Sequence, residues 1–249
     1  MADAIFEDPR LAVLYDPFDP DRSDLDPYVA MADEFGARSV VDLGCGTGTL
    51  ACLLAARGKD VVGVDPAQAS LDVAREKEGA DRVRWIHGDA TTLPPMQVDL
   101  VVMTANVAQV FVTDEEWAAT LVGIRAALRP GGRLVFESRV PERRAWERWT
   151  REHTYAREDV AGVGVVETWC DLGEVVGPLV SFRWTNVLPD GDVILSDSTL
   201  RFRGREETEA SLVANGFAVD EVRDAPDRPG AEHVYVASAP ARAVPRTGC

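Results

Sequence analysis

One stretch constrains this chain more than any other: Ser39-Val40-Val41-Asp42-Leu43-Gly44-Cys45-Gly46-Thr47-Gly48-Thr49-Leu50. The β-branched, apolar run 39–43 predicts a short buried strand, because such side chains pack well on a pleated surface. Three glycines in five residues then force a tight turn. The spacing of Leu50, Leu53 and Leu54 announces a helix over 48–57 that Gly58 stops. Glycine is needed where bare backbone must approach a ligand, since a Cβ would hold it off. The free N–H groups of the helix start are then expected to face the same space. Strand, bare turn and helix start together describe a cradle.

The pattern alternates from there. Strand 61–65 leads to helix Gln68–Glu78, strand 83–86 to the loop 87–97, and strand 98–104 to helix Asp114–Leu128. Pro130-Gly131-Gly132 separates that helix from strand 133–138. Continuous apolar strands between amphipathic helices predict a parallel sheet covered on both faces, with right-handed crossovers. Upstream, 8–15 and 27–35 read as two short helices joined by the turn formers Asp16-Pro17-Phe18-Asp19-Pro20-Asp21. After Arg139 the pattern changes. Residues 141–157 read as a charged helix carrying Trp146 and Trp149. The β-like runs 162–172, 179–188 and 192–203 follow, with Pro189-Asp190-Gly191 turning between the last two, and predict an antiparallel hairpin set. Helix 206–215, ended by Gly216, and strands 217–223 and 233–237 resume the core. The organisation expected is an N-terminal helical cap (1–38), a core (39–140 and 204–239), an inserted helix plus β-hairpin lid (141–203) and an unstructured tail (240–249).

Charge narrows the partners. Of 249 residues, 42 are acidic and 26 basic, a formal charge of −16. A field of that sign repels phosphate backbones and anionic lipid, so neither nucleic acid nor membrane is expected as a partner. No apolar run approaches the roughly 20 residues of a membrane span. The acidic start Met1–Asp8 lacks a signal-peptide pattern, and a cytoplasmic protein is the expectation. Cys45, Cys52, Cys170 and Cys249 form no C-x-x-C pair, and their spacing suits neither a zinc site nor a disulfide framework.

The glycines at 44, 46 and 48 leave Thr49 where the dinucleotide pattern G-x-G-x-x-G needs its last glycine. D-x-G-x-G-x-G, followed in order by Asp65, Gly88-Asp89-Ala90 and Thr104-Ala105-Asn106-Val107, resembles the class I S-adenosylmethionine-dependent methyltransferases over roughly residues 39–137. The resemblance implies an α/β fold: a Rossmann-like seven-stranded sheet, mostly parallel with the last strand antiparallel, and an antiparallel β insertion after strand five. It implies S-adenosylmethionine as cofactor. Asp42 is then near the ammonium, and Gly44, Cys45, Gly46 and Gly48 form the cradle. Asp65 is on the ribose hydroxyls with Pro66 beside them, Asp89 and Ala90 read the adenine, and Ala105 and Asn106 lie by the sulfonium. The N-P-P-Y and Pro-Cys signatures of nucleic-acid enzymes are missing from these motifs, as is the Asp-Asn pair of the metal-dependent type. The expected acceptor is therefore a small molecule methylated on nitrogen or oxygen, with no metal.

His153, Tyr15 and Asn106 are the candidates for orienting or deprotonating that acceptor. His87 and His233 read as structural. Glu137 and Arg139 end strand five on one face, as a substrate anchor or a surface ion pair. Trp169 and Trp184 stack on a substrate or fill half-buried strand positions. Tyr15, Phe18 and Tyr28 line a lid or pack the cap. The β insertion is a lid or a homodimer surface. A cofactor-binding protein without catalysis and an NAD-dependent oxidoreductase are the alternative readings.

Overall fold

In the computed structural model, which describes residues 2–240, the chain opens with four short helices: α1 (Ala4–Glu7), α2 (Pro9–Ala12), α3 (Tyr15–Phe18) and α4 (Asp26–Glu34). The helix expected over 8–15 is broken into single turns. Asp8 caps α2 by accepting from Arg10 N at 2.9 Å, and Pro9, which has no N–H to donate, sits at its first position. The tail expected to be unstructured lies, from residue 241 on, outside the described residues.

The core follows the predicted alternation: β1 (Ser39–Leu43), α5 (Thr49–Ala56), β2 (Asp60–Asp65), α6 (Gln68–Arg75), β3 (Val83–His87), β4 (Val98–Met103), α7 (Asp114–Ala127) and β5 (Leu128–Arg139). Thr113 caps α7, its hydroxyl accepting from Glu116 N while the Glu116 carboxylate accepts from Thr113 N, both at 3.1 Å. β5 starts five residues before the predicted strand. Leu128 already pairs with Val98, and the register then shifts so that Leu100 faces Arg133, with Gly131 at φ +79° inside the irregularity.

The insertion departs most from expectation. In place of a charged helix over 141–157 there are two 3-10 turns (141–143 and 145–148), the single turn α8 (Arg151–Thr154) and an edge strand, β6 (Ala156–Val160). The tryptophans explain the difference. Trp146 packs edge-on to Phe202 (ring centroids 4.5 Å apart) and Trp149 to Phe182 (4.6 Å). Burying two large rings against the sheet outweighs the few tenths of a kcal/mol per residue of helix propensity. β6 begins a separate antiparallel sheet with β7 (Gly164–Val176), β8 (Leu179–Val187) and β9 (Val193–Arg201), in that order.

α9 (Arg205–Ala214), β10 (Ala218–Asp224) and β11 (Glu232–Ser238) complete the core. The seven-stranded sheet has the order β10-β11-β5-β4-β1-β2-β3. Six strands run one way and β11 runs against them, paired antiparallel with both β5 and β10. Both faces are apolar. Val40, Leu100, Val102 and Val135 pack under α4 and α5, while Val41, Val101, Leu134 and Phe136 pack under α7 and α9. Leu11 and Leu14 of the cap pack with Val160, Val166 and Leu188 of the second sheet. Strand order reverses between β1 and β4, which opens a crevice at the strand ends.

Candidate active site

A cavity of about 530 Å³ fills that crevice. The ends of β1, β2 and β4 and the loop after β3 form its floor, and Ala2, Asp3, Phe6, Tyr15, Arg22 and Leu25 of the N-terminal segment form its roof.

Asp42 carries the strongest electrostatic signal. It lines the cavity, is 1% exposed, and neither carboxylate oxygen has a hydrogen-bond partner. Burial, and then the charge of Asp65, push its pKa up to about 7. Asp65 is buried too, but satisfied: one oxygen accepts from Gly46 N and the other from Ala67 N, each at 2.8 Å. Each keeps a free lone pair toward the cavity it lines.

The glycines divide by role. A Cβ on Gly44 would lie 2.6 Å from Val107 Cγ2, and one on Gly48 would lie 2.5 Å from the Trp85 ring. Both glycines therefore serve close packing inside the protein, and Gly44 also lines the cavity. Gly46, at φ +52°, has nothing within 4 Å of where its Cβ would be, and it lines the cavity. The amides of Gly44 and Cys45 donate to Val64 O (2.8 and 3.1 Å), and Gly48 N donates to Cys45 O (2.8 Å). These amides tie the turn to β2 or close it on itself, so the turn itself offers bare surface. Cys45 lines the cavity, and burial raises its thiol well above the ordinary range, which keeps it protonated and unreactive.

Of the remaining sequence-predicted residues, Pro66, Asp89, Ala90 and Ala105 line the cavity. Asp89 is exposed at the rim and accepts from Thr91 N (2.8 Å) and Thr91 Oγ1 (2.6 Å). Asn106 lies behind the wall: it is buried, does not line the cavity, and donates from N to Glu137 Oε1 (3.2 Å) and from Nδ2 to Glu232 Oε1 (3.1 Å). Tyr15 lines the roof, where burial raises its pKa and keeps the hydroxyl protonated at neutral pH. His153 is exposed, with Nδ1 2.9 Å from Thr150 Oγ1, and none of the three histidines lines the cavity.

The surface ion pair read for Glu137 and Arg139 is corrected. Glu137 is buried, bonded to the Tyr28 hydroxyl, and raised to about 7 by burial and then by Glu232. Arg139 donates to Gln109 Oε1 at 3.0 Å and lies 3.7 Å from Glu232. Tyr28 thus packs the cap to the core, and Phe18 packs on the second sheet. Trp169 donates to Asp171 at 2.9 Å under the Arg151 guanidinium, and neither it nor Trp184 lines the cavity.

Sequence reasoning missed two groups. Arg22 lines the cavity, reaches Asp24 at 3.3 Å, and is close enough to lower the Asp42 pKa. Asp16 accepts from Thr47 Oγ1 (2.8 Å) and pairs with Lys77 (2.7 Å), tying the cap to the glycine turn. Lys77 is one of only two lysines in the chain, which was the one available signal.

As a donor set, the cavity presents an unpartnered buried carboxylate, a guanidinium across from it, a second carboxylate with spare lone pairs and a bare glycine surface. That suits a zwitterion joined to a nucleoside. The residues present fit S-adenosylmethionine.

Comparison with known proteins agrees. A family model described as a methyltransferase domain matches residues 40–132. A cypemycin N-terminal methyltransferase from a Streptomyces species is 37% identical over 115 residues, covering 46% of this chain and 47% of that protein. The chain spans about half the length of the curated relatives it matches. Among solved structures, adenosylmethionine-bound CalS10, an amino pentose methyltransferase from Micromonospora echinaspora, superposes with a TM-score of 0.66 at 25% identity, covering 88% of this chain and 92% of that one. The fold is shared with a sugar N-methyltransferase, KedS8 from Streptoalloteichus sp ATCC 53650 (TM-score 0.70, 20% identity, 91% and 93% covered). Residues 40–132 thus carry a methyltransferase domain, and the glycine turn and the seven-stranded sheet with one reversed strand are similar to those of S-adenosylmethionine-dependent methyltransferases.

Proposed function

We propose that this protein transfers a methyl group from S-adenosylmethionine to a nitrogen atom of a small molecule. The observation that carries the cofactor reading is Asp42, a buried carboxylate aimed into a cavity with no partner of its own. A cationic ammonium supplies what it lacks. Arg22 takes the amino-acid carboxylate, Asp65 accepts from the ribose hydroxyls, and Asp89 with the Ala90 amide reads the adenine edge. When bound, the cofactor supplies a methyl group already activated by the sulfonium. The chain's remaining task is to align the acceptor and exclude water. The roof formed by Phe6, Tyr15 and Leu25 does the second.

Nitrogen is favoured over oxygen because the carboxylates that line the cavity are engaged: Asp42, Asp65 and Asp89 by the cofactor in this reading, Asp3 by the Ser198 hydroxyl and Glu116 by Thr113 N. No imidazole lines it, and Tyr15 is held protonated. A neutral amine attacks with its own lone pair and loses its proton after transfer. Tyr15 serves as a hydrogen-bonding group that orients it. CalS10 and KedS8, whose names specify an amino pentose and a sugar nitrogen, support the same choice. The exposed outer face of the second sheet, with Tyr155, Val193 and Leu195, is the surface we assign to self-association, which sedimentation velocity tests.

The decisive test pairs calorimetry with S-adenosylmethionine and a mass-spectrometric screen of amines and alcohols, amino sugars included. Micromolar cofactor binding and methylated amines are the expected result. Methylated alcohols alone would overturn the nitrogen assignment, and binding without turnover on any acceptor would make the chain a cofactor-binding protein. No helix among the described residues is long and apolar enough to cross a membrane.

A further inference from the structure

Behind the cavity wall lies a buried polar cluster that the reading above does not use. The loop after β4 carries two consecutive non-glycine residues in the left-handed region, Ala105 at φ +54° and Asn106 at φ +60°. Ala105 faces the cavity and Asn106 faces away from it. Two carboxylates on neighbouring antiparallel strands grip Asn106: Glu137 of β5 accepts from its backbone N, and Glu232 of β11 accepts from its Nδ2. Each acid is itself held. The Tyr28 hydroxyl bonds to Glu137, and Arg228 donates to Glu232 at 2.8 Å. Gln109 N closes the loop by donating to Asn106 O at 2.9 Å, and Arg139 holds the Gln109 side chain.

This arrangement is costly by construction. Two buried acids lie side by side, two residues adopt a disfavoured backbone conformation, and Asn106 Oδ1 and Glu232 Oε2 have no partner. Backbone strain of this kind persists only where the surroundings over-determine it, and it gathers at functional sites. Two strands distant in the sequence grip one asparagine whose neighbour is a cavity-lining alanine, and Tyr28 and Arg228 hold their two acids in place.

We propose that Asn106, clamped between Glu137 and Glu232, is a positioning residue that holds Ala105 against the methyl-bearing end of the bound cofactor. Asn106 touches no ligand in this scheme; it acts through the Ala105 backbone. The inference rests on the cofactor reading given above. It also explains the residue type, since asparagine adopts the left-handed region more readily than other non-glycine residues and carries the amide that Glu232 accepts from.

The test uses two probes that differ by the methyl group, S-adenosylmethionine and S-adenosylhomocysteine, with affinities measured by calorimetry on the full chain. No acceptor is needed. Asn106→Ala removes the tether and the tolerance for this backbone. It should weaken S-adenosylmethionine about tenfold while S-adenosylhomocysteine changes less than about threefold. Asn106→Gly permits the left-handed backbone but lacks the amide that Glu232 accepts from, so the ratio of the two affinities should stay at least about threefold from the parent's. Equal weakening of both ligands would overturn the proposal, because a merely loosened fold affects both alike. An unchanged ratio in Asn106→Ala, or a ratio that glycine restores in full, would also overturn it. Should Asn106→Ala not fold, Glu232→Gln keeps the shape of the clamp, and its ratio must move in the same direction. A parent protein that binds neither ligand would overturn the cofactor reading itself, and the clamp with it.

Discussion

Asp42 and Asp65 sit on adjacent strand ends, yet they are different chemical objects. Asp65 spends two lone pairs on backbone amides, whereas Asp42 spends none. The folded chain therefore holds the Asp42 proton up to a pH of about 7, well above its ordinary value of 3.8. The sign follows directly. A raised acid pKa makes folding more favourable when the group is protonated, so this contribution is lost as pH climbs from about 4 to 7, and Glu137 acts in the same sense. Binding an ammonium requires the ionised carboxylate and runs the other way. Calorimetry across about pH 6 to 8 should show S-adenosylmethionine affinity rising with pH, up to about tenfold per unit below the transition, and Asp42→Asn should flatten the profile. Asp65→Ala should weaken the same ligand by about 1–3 kcal/mol, the range for lost hydrogen bonds to a charged group. An unchanged affinity in a folded variant would remove Asp65 from the ribose.

Among the elements, the glycine turn separates packing from binding. Gly44 and Gly48 let Val107 and Trp85 close in, while a Cβ on Gly46 would meet nothing within 4 Å. Gly44→Ala should lower stability by about 1–3 kcal/mol in urea titration, because its Cβ collides with Val107 and its φ is +74°. Gly46→Ala meets only backbone strain, about 1 kcal/mol, and should fold while binding the cofactor at least several-fold more weakly. If both variants bind and melt alike, this division of roles is wrong. The insertion teaches a different lesson about elements. The charged stretch 141–157 read as a helix because the partners of Trp146 and Trp149, Phe202 and Phe182, stand more than 30 residues further along.

Across the whole molecule, the N-terminal cap bridges several of the parts that enclose the cavity. Ser198 donates to Asp3 at 2.5 Å and Ile5 N donates to Ser196 at 2.9 Å, which joins the cap to β9. Ser70 donates to Phe6 O at 2.9 Å, joining it to α6, and Asp16 joins it to the glycine turn and Lys77. If a ligand as large as a nucleoside amino acid enters beneath this roof, these three attachments set how fast it passes. Each is worth about 0.5–1.5 kcal/mol, so Asp16→Ala should speed cofactor dissociation roughly two- to tenfold in stopped-flow displacement, with little change in melting temperature. Unaltered dissociation would mean that entry occurs elsewhere.

The local chain determined a great deal by itself. Periodicity marked the strands and helices of the sheet, and three glycines beside Asp42, with Asp65 and Asp89 following in order, marked the cavity and its ligand. Those are short-range properties: backbone freedom, side-chain alternation and the placing of charge at strand ends. Tertiary structure decided the rest. It turned Asn106 from the cavity to the clamp, buried Glu137 and half-buried Arg139 that read as surface residues, brought Arg22 and Asp16 over the site, and withheld His153 from it. Burial and partnership across distant segments set these roles, and neither is written in the neighbours along the chain.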